Sequence, residues 1–204
     1  YKKQTGGRGQ FGDCHIRLKP RPRNEGYLFT DSISGGVIPN KFIPSVDKGI
    51  QQAAAKGVIA GYPVVDIEAE CYDGSYHSVD SSDVAFQVAG SMAFKRAVQD
   101  AAPVLLEPVM MVEITTPDEF MGDIMGDLNQ RRGKIQGMDS QGSKTIIRAL
   151  VPEAELYKYA TTLRSMSHGR AVHSRTLHGY EEVPQHVAQQ VIEAAEREEE
   201  EVTA

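Results

Sequence analysis

Residues 6–20, GGRGQFGDCHIRLKP, decide the fold class. Gly7-Arg8-Gly9-Gln10-Phe11-Gly12 fits the G-x-G-x-x-G pattern of dinucleotide sites. That pattern carries meaning where a strand precedes it and a helix follows, because the helix N-terminus then meets the pyrophosphate. Here the glycines lead into an alternating stretch, with Cys14, Ile16 and Leu18 on one side. Alternation of period two is a strand with one buried face. The dinucleotide reading therefore fails on context. The glycines are expected to serve turning and close backbone approach.

Outward from this strand, PRNEG (22–26) reads as a turn and YLFTDSIS (27–34) as a second strand, so the two strands are expected to form a hairpin. GGVIPNKFIP (35–44) is an irregular entry to a helix that runs to about Lys56, with Val46, Ile50, Ala53 and Ala54 near helical spacing and Gly57 as its stop. PVVDIEAECYDG (63–74) is a third strand. A loop at 75–83 leads to a helix at about 82–102. Asp80, Ser81 and Ser82 are rival N-caps, and Val84, Val88, Met92 and Ala93 are the expected apolar stripe. Residues 1–107 thus read β-β-α-β-α.

Pro108 opens a second unit. VMMVEITTP (109–117) is a strand, and a helix capped by Thr116 with Pro117 in its first turn runs to Gly133. Strands at 134–139 and 144–152 flank a tight QGS turn. A helix at 153–169 and a strand at 170–180 complete β-α-β-β-α-β, the ferredoxin-like split pattern with two helices on one antiparallel sheet. Residues 184–201 read as a further helix with fraying last turns. The fold class is α+β in two domains, 1–107 and 108–183, followed by a C-terminal helix and acidic tail at 184–204.

Composition narrows the function classes. The 40% apolar and 25% charged residues suit an ordinary soluble chain. No apolar run approaches a membrane span, YKKQTGG lacks a signal-peptide core, and Cys14 and Cys71 are too few for a disulfide framework, so a reducing cytoplasm is expected. The net charge of −6 is uneven: residues 181–204 hold eight Glu and one Arg, whereas residues 1–23 hold seven Lys and Arg against Asp13 alone. A basic edge of this kind can meet an anion such as RNA.

Catalytic chemistry is missing from the sequence. No G-x-x-x-x-G-K-[ST] loop occurs, and Ser81, Ser82 and Ser165 lack a G-x-S-x-G elbow. His173 and His178, five apart in a strand, are expected on opposite faces. Glu119, Asp123 and Asp127 share one helix face that could hold a hard cation, but a solvated acidic face is the favoured reading. No metal site is assigned. What remains is two polar loops. QTGGRGQFG offers slim backbone, the planar fork of Arg8 and the amide of Gln10; DGSYHSVDSS offers the ring of Tyr76 and the imidazole of His77. These are the residue types that RNA contact needs. Spacing alone favours His77 as a turn histidine held by neighbouring backbone.

KQTGGRGQFG, GGVIPNKFIPSVDKGI, GVIAGYPVVDIEAECYDGSYHSVDSSDVAF, PVLLEPVMMVEI, FMGDIMGDLNQRRGKIQGM and HGYEEVP resemble, in collinear order over roughly residues 1–186, the C-terminal part of the elongation factor G family of translocation GTPases. The resemblance implies that residues 1–107 are the family's fourth domain, with a ribosomal-protein-like fold, and that 108–183 are its ferredoxin-like fifth. It implies a ribosome partner: the fourth domain enters the small-subunit decoding site beside tRNA–mRNA, and the fifth docks near the large-subunit sarcin–ricin loop. Gly6, Gly7, Arg8, Gly9 and Gln10 match the family's first tip loop, and Tyr76 and His77 the second, with Gln10 and His77 at the codon–anticodon region. Arg131, Arg132 and Lys134 are RNA-contact candidates of the second domain from charge alone. By the same resemblance the chain is a cytoplasmic, monomeric, non-enzymatic fragment. GTP and magnesium belong to an absent domain of the parent, and the parent's remaining domains are partners.

Ser78 and Asp83 stand where the family's tip usually has Asp and Glu, Asp13 where basic or polar residues are common, and Thr162 in place of an acid. SMSHGR replaces a glutamine-containing turn. These departures admit a paralogue acting in recycling, rescue or drug protection. A free-standing single-strand RNA binder is the alternative of another class; it would need aromatics on the central strands, and VMMVEITT and KIQGMD have none.

Overall fold

The structure is a computed structural model and describes residues 1–4 and 6–203. It divides into two compact units, one of residues 1–103 together with the chain from His186, the other Val104–Gln185. In the first, a short ribbon of β1 (Lys2–Lys3) and β2 (Gln10–Phe11) precedes β3 (Asp13–Pro20), β4 (Leu28–Asp31), α1 (Ile43–Lys56), β5 (Ile67–Ser75) and α2 (Asp83–Asp100). This is the expected β-β-α-β-α order.

The expected hairpin does not form. The sheet order is β3-β5-β4, with β5 antiparallel to β3 and parallel to β4. A parallel pair needs a long crossover, and the chain from β4 through α1 supplies it. β5 is central, so Ala69 and Cys71 are wholly buried. It begins at Ile67 rather than Pro63 because Asp66, at φ 55°, turns the chain, and its carboxylate accepts from the N–H groups of Asn24 and Gly26. Those two bonds, the Gly26 one foremost, hold the Asp66 carboxyl below the usual carboxylate range. They also fix the predicted turn at 22–26.

The core of this unit joins Cys14, Ala69 and Cys71 of the sheet to Val46, Ile50, Ala53 and Ala54 of α1 and Phe86, Ala89, Phe94 and Val98 of α2. Both thiols are free, and burial pushes them up, Cys14 to about 11 and Cys71 to about 12. The expected stripe on α2 is wrong in phase. Val84 and Met92 are 59% and 54% exposed, and the buried face runs through Ala85, Phe86, Ala89, Gly90 and Phe94. Small residues win because α1 and α2 cross at backbone contact. A Cβ on Gly49 would lie 2.0 Å from the Gln87 carbonyl oxygen, and one on Gly90 2.5 Å from that of Val46.

The second unit contains β6 (Leu106–Pro117), α3 (Met121–Gln130), β7 (Lys134–Gln141), β8 (Lys144–Pro152), α4 (Tyr159–Met166) and β9 (Val172–Glu182). Its antiparallel sheet has the ferredoxin-like order β7-β8-β6-β9. Val112 and Ile114 of β6 and Ile147, Ala149 and Val151 of β8 pack with Ile124 and Leu128 of α3 and Tyr159 and Leu163 of α4. Thr116 is not a helix cap: it is buried within β6, and a 3₁₀ turn at Asp118–Phe120 precedes α3. Another at Glu153–Leu156 precedes α4, whose start is shifted to Tyr159 by the left-handed Lys158. A bulge in β9 opposite Val109/Met110 interrupts the alternation between His173, half-buried, and His178, exposed. After β9 comes α5 (Gln185–Thr203). Among the described residues no helix is long and apolar enough to cross a membrane.

The two kinds of helical glycine give opposite expectations. Gly49→Ala destabilises its unit by about 1–3 kcal/mol, because the new methyl must push two backbones apart. Gly126→Ala, in open space on α3, stabilises by about 0.5–1 kcal/mol. Urea unfolding of each variant measures both signs.

Candidate nucleic-acid interface

The last pair of the β3–β5 ladder is Asp13 with Ser75, and the Ser75 hydroxyl donates to the Asp13 carboxylate at 2.7 Å. The loop entering β3 and the loop leaving β5 therefore start side by side. Antiparallel pairing dictates this, although more than sixty residues separate them in sequence.

The loops then lock together. The Phe11 N–H donates to the Asp80 carbonyl at 2.9 Å, and Phe11 bridges Ser81. The Ser81 hydroxyl, almost buried, accepts from the His77 N–H and donates to the Phe11 carbonyl, both at 2.9 Å. Arg8 reaches across from the first loop: Nε and Nη2 donate to the Val79 carbonyl at 3.1 and 2.9 Å. Part of the fork expected to face a phosphate thus holds the second loop. The ring centroids of Phe11 and His77 lie 6.4 Å apart.

The glycines have separate reasons. Gly6 takes φ 25°, a turn. A Cβ on Gly9 would meet the Asp80 carboxylate at 2.9–3.1 Å, and one on Gly12 would meet the Ala85 carbonyl oxygen at 2.8 Å, at the start of α2. Close approach within the protein thus explains Gly9 and Gly12. The N-cap of α2 is Ser82, whose hydroxyl oxygen accepts from Ala85 N–H; Asp83 accepts from Ser45. Thr5, in the first loop, lies outside the described residues.

His77 is a turn histidine held by neighbouring backbone. Its Nδ1 accepts from the N–H groups of Asp80 at 3.2 Å and Val79 at 3.4 Å, yet its side chain is 55% exposed. Tyr76 beside it is 48% exposed. Gln10 is half-buried, with Oε1 accepting from the Tyr1 hydroxyl at 2.8 Å. His77 and Tyr76 of the second loop are thus exposed beside the clasp, and Gln10 of the first loop is held by Tyr1.

The second-unit candidates have internal partners. Arg131 donates to Asp127, to the Glu155 carbonyl and to Thr162. Arg132 grips Glu107 bidentately at 2.6 and 2.9 Å and Glu155 at 2.9 Å, and the Glu107 bonds, opposed by burial, hold its guanidinium firmly charged. Both arginines tie α3 to neighbouring elements of their own unit. Sequence reading saw the charge but not the acids that neutralise it. Lys134, paired with Glu181 at 2.9 Å, is two-thirds exposed. Of the acidic helix face, Glu119 pairs with Arg170 and Asp127 with Arg131.

Residues 1–102 match the family described as elongation factor G, domain IV, and residues 104–191 match the elongation factor G C-terminus. A curated relative, elongation factor G of Aquifex pyrophilus, is 56% identical over 190 residues, which is 93% of this chain and 27% of the relative. The chain thus spans about a quarter of that protein's length. A crystal structure from Thermus thermophilus superposes with a TM-score of 0.81 and 45% identity, over 97% of this chain and 29% of the other.

Two expectations follow from the contacts. Gly12→Ala destabilises by about 1–3 kcal/mol, because backbone of α2 must move, whereas Gly9→Ala has a smaller effect, because the Asp80 side chain can rotate away. Arg132→Ala lowers the stability of the second unit by about 1–3 kcal/mol through lost charge-assisted bonds, and Lys134→Ala by about 0.5 kcal/mol or less. Thermal unfolding of the four variants tests the ranking.

Proposed function

Since this chain belongs to the elongation factor G family, we propose that it is the ribosome-inserted part of a translocation GTPase, with the clasped loops of its first unit entering the small-subunit decoding site beside tRNA–mRNA. The observation that carries this reading is the locking of the loop before β3 to the loop after β5, through Arg8 on Val79, Phe11 on Asp80 and Ser81 between His77 and Phe11. The residue types of the two loops suit RNA: a stacking ring, an imidazole, an amide, and backbone thin enough for close approach.

The action of this part is mechanical. Ladder and clasp hold the two loops in fixed relation, so that they substitute their own contacts for RNA contacts as the tRNA–mRNA pair moves. Hydrolysis of GTP lies outside these residues. Guanine nucleotide and magnesium do not fit here, since the chain carries no phosphate-binding loop. The second unit docks at the large subunit near the sarcin–ricin loop. Arg131 and Arg132 are left out of that contact by their internal partners, and Lys134 remains a candidate. The setting is the cytoplasm, and the protein acts as a monomer with the parent's other domains.

In the full-length protein, His77→Ala slows translocation about tenfold, the rate equivalent of one lost hydrogen bond to a charged group, while ribosome-stimulated GTP hydrolysis stays near normal. Rapid-mixing assays of both steps decide the matter. Equal loss of hydrolysis and translocation contradicts the tip role. A wild-type parent that splits ribosomes without translocating points to the recycling or rescue paralogue instead.

A further inference from the structure

We propose that the clasp makes the tip a surface of hydrogen-bond donors: His77 meets RNA as a neutral imidazole through Nε2–H, and Gln10 through its amide NH₂, with Ser81, Arg8 and Tyr1 as positioning residues. The RNA ligand rests on the function proposed above; the proton assignment does not.

A neutral imidazole has one bare nitrogen and one N–H. Nδ1 of His77 faces two backbone N–H groups, those of Asp80 and Val79, so it is the bare nitrogen and the proton sits on Nε2. Asp80 Oδ2 is also 3.4 Å from Nδ1. That contact is an ion pair only for an imidazolium, whose Nδ1–H would be set against both backbone donors. In the neutral ring both backbone donors, Asp80 N–H at 3.2 Å and Val79 N–H at 3.4 Å, are met by the Nδ1 lone pair.

Each residue that holds the ring is itself held by the other loop. Val79, which supplies one N–H, has its carbonyl fixed by Arg8. Asp80, which supplies the other, has its carbonyl fixed by Phe11 N–H. The backbone of His77 itself is tied through the Ser81 hydroxyl to the Phe11 carbonyl. Gln10, one residue before Phe11, has its acceptor oxygen engaged by the Tyr1 hydroxyl, which leaves two amide N–H donors. A ligand matching these donors presents acceptors, as phosphate oxygens, ribose oxygens and base carbonyls do. The exposed Tyr76 ring adds a face for stacking.

Two-bond proton–nitrogen NMR of the 204-residue chain at about pH 8, above the ordinary imidazole range, reads the tautomer directly. The expected pattern is Nε2–H for His77. Ser81→Ala converts it to a mixture of tautomers, and Ser81→Thr, which keeps a hydroxyl, restores it. An Nδ1–H pattern in the wild type overturns the assignment without reference to any variant's folding. An unaltered pattern in a folded Ser81→Ala chain removes Ser81 as a positioning residue. In the full-length protein, Gln10→Glu, which turns a donor into a charged acceptor, slows translocation about tenfold or more. If Gln10→Glu translocates like wild type while His77→Ala is slow, the donor surface is refuted and the decoding-site reading survives. If both are fast, the decoding-site reading itself fails.

Discussion

One hydroxyl group joins the two halves of the tip. Ser81 accepts a hydrogen bond from the backbone of its own loop and returns one to the backbone of the other, so neither loop can move without breaking a bond that is almost shut off from water. Such a bond contributes little net free energy when formed, about 0.5–1.5 kcal/mol, but leaving its partners unpaired costs more. The clasp is therefore worth most as a constraint on geometry. It depends in turn on the β3–β5 ladder, whose terminal Asp13–Ser75 pair delivers both loops to one end of the sheet.

This arrangement separates the jobs of neighbouring residues. Arg8, Ser81 and the backbone of Val79 and Asp80 hold the loops; the His77 and Tyr76 side chains stay about half exposed and offer chemistry. The second unit shows the same economy in another form. Arg131 and Arg132, cationic in sequence, anchor the end of α3 to Glu155, Glu107 and Asp127 within their own unit. A count of basic residues therefore overstates the positive charge left unpaired at the surface.

Local pattern made most elements legible. Alternation marked β3, and the burial of Cys14 with half-burial of Ile16 and Leu18 follows it residue by residue. β8 spans the very residues, 144–152, read as a strand after the QGS turn. Pairing was not legible. Nothing in YLFTDSIS reveals that β5, folded later in the chain, lies between β4 and β3, because a parallel neighbour is chosen by the crossover rather than by the strand. The α2 face was misjudged for a related reason. Valine and methionine carry the larger hydrophobic signal, but the crossing with α1 at Gly49 and Gly90 has room for alanine and glycine. At the clasp, residue types singled out two loops that the fold does bring side by side, while the holding role of Arg8 is set by a carbonyl seventy-one residues away, beyond any local rule.

The central claim is that the two loops form one body. Amide hydrogen exchange tests it most directly, because the N–H groups of Phe11 and His77 are bonded across or within the clasp to Asp80 and Ser81. The account predicts that both amides are protected and lose protection together when Ser81 is replaced by Ala. Rapid exchange of Phe11 and His77 in the intact chain, with β5 still protected, would contradict it.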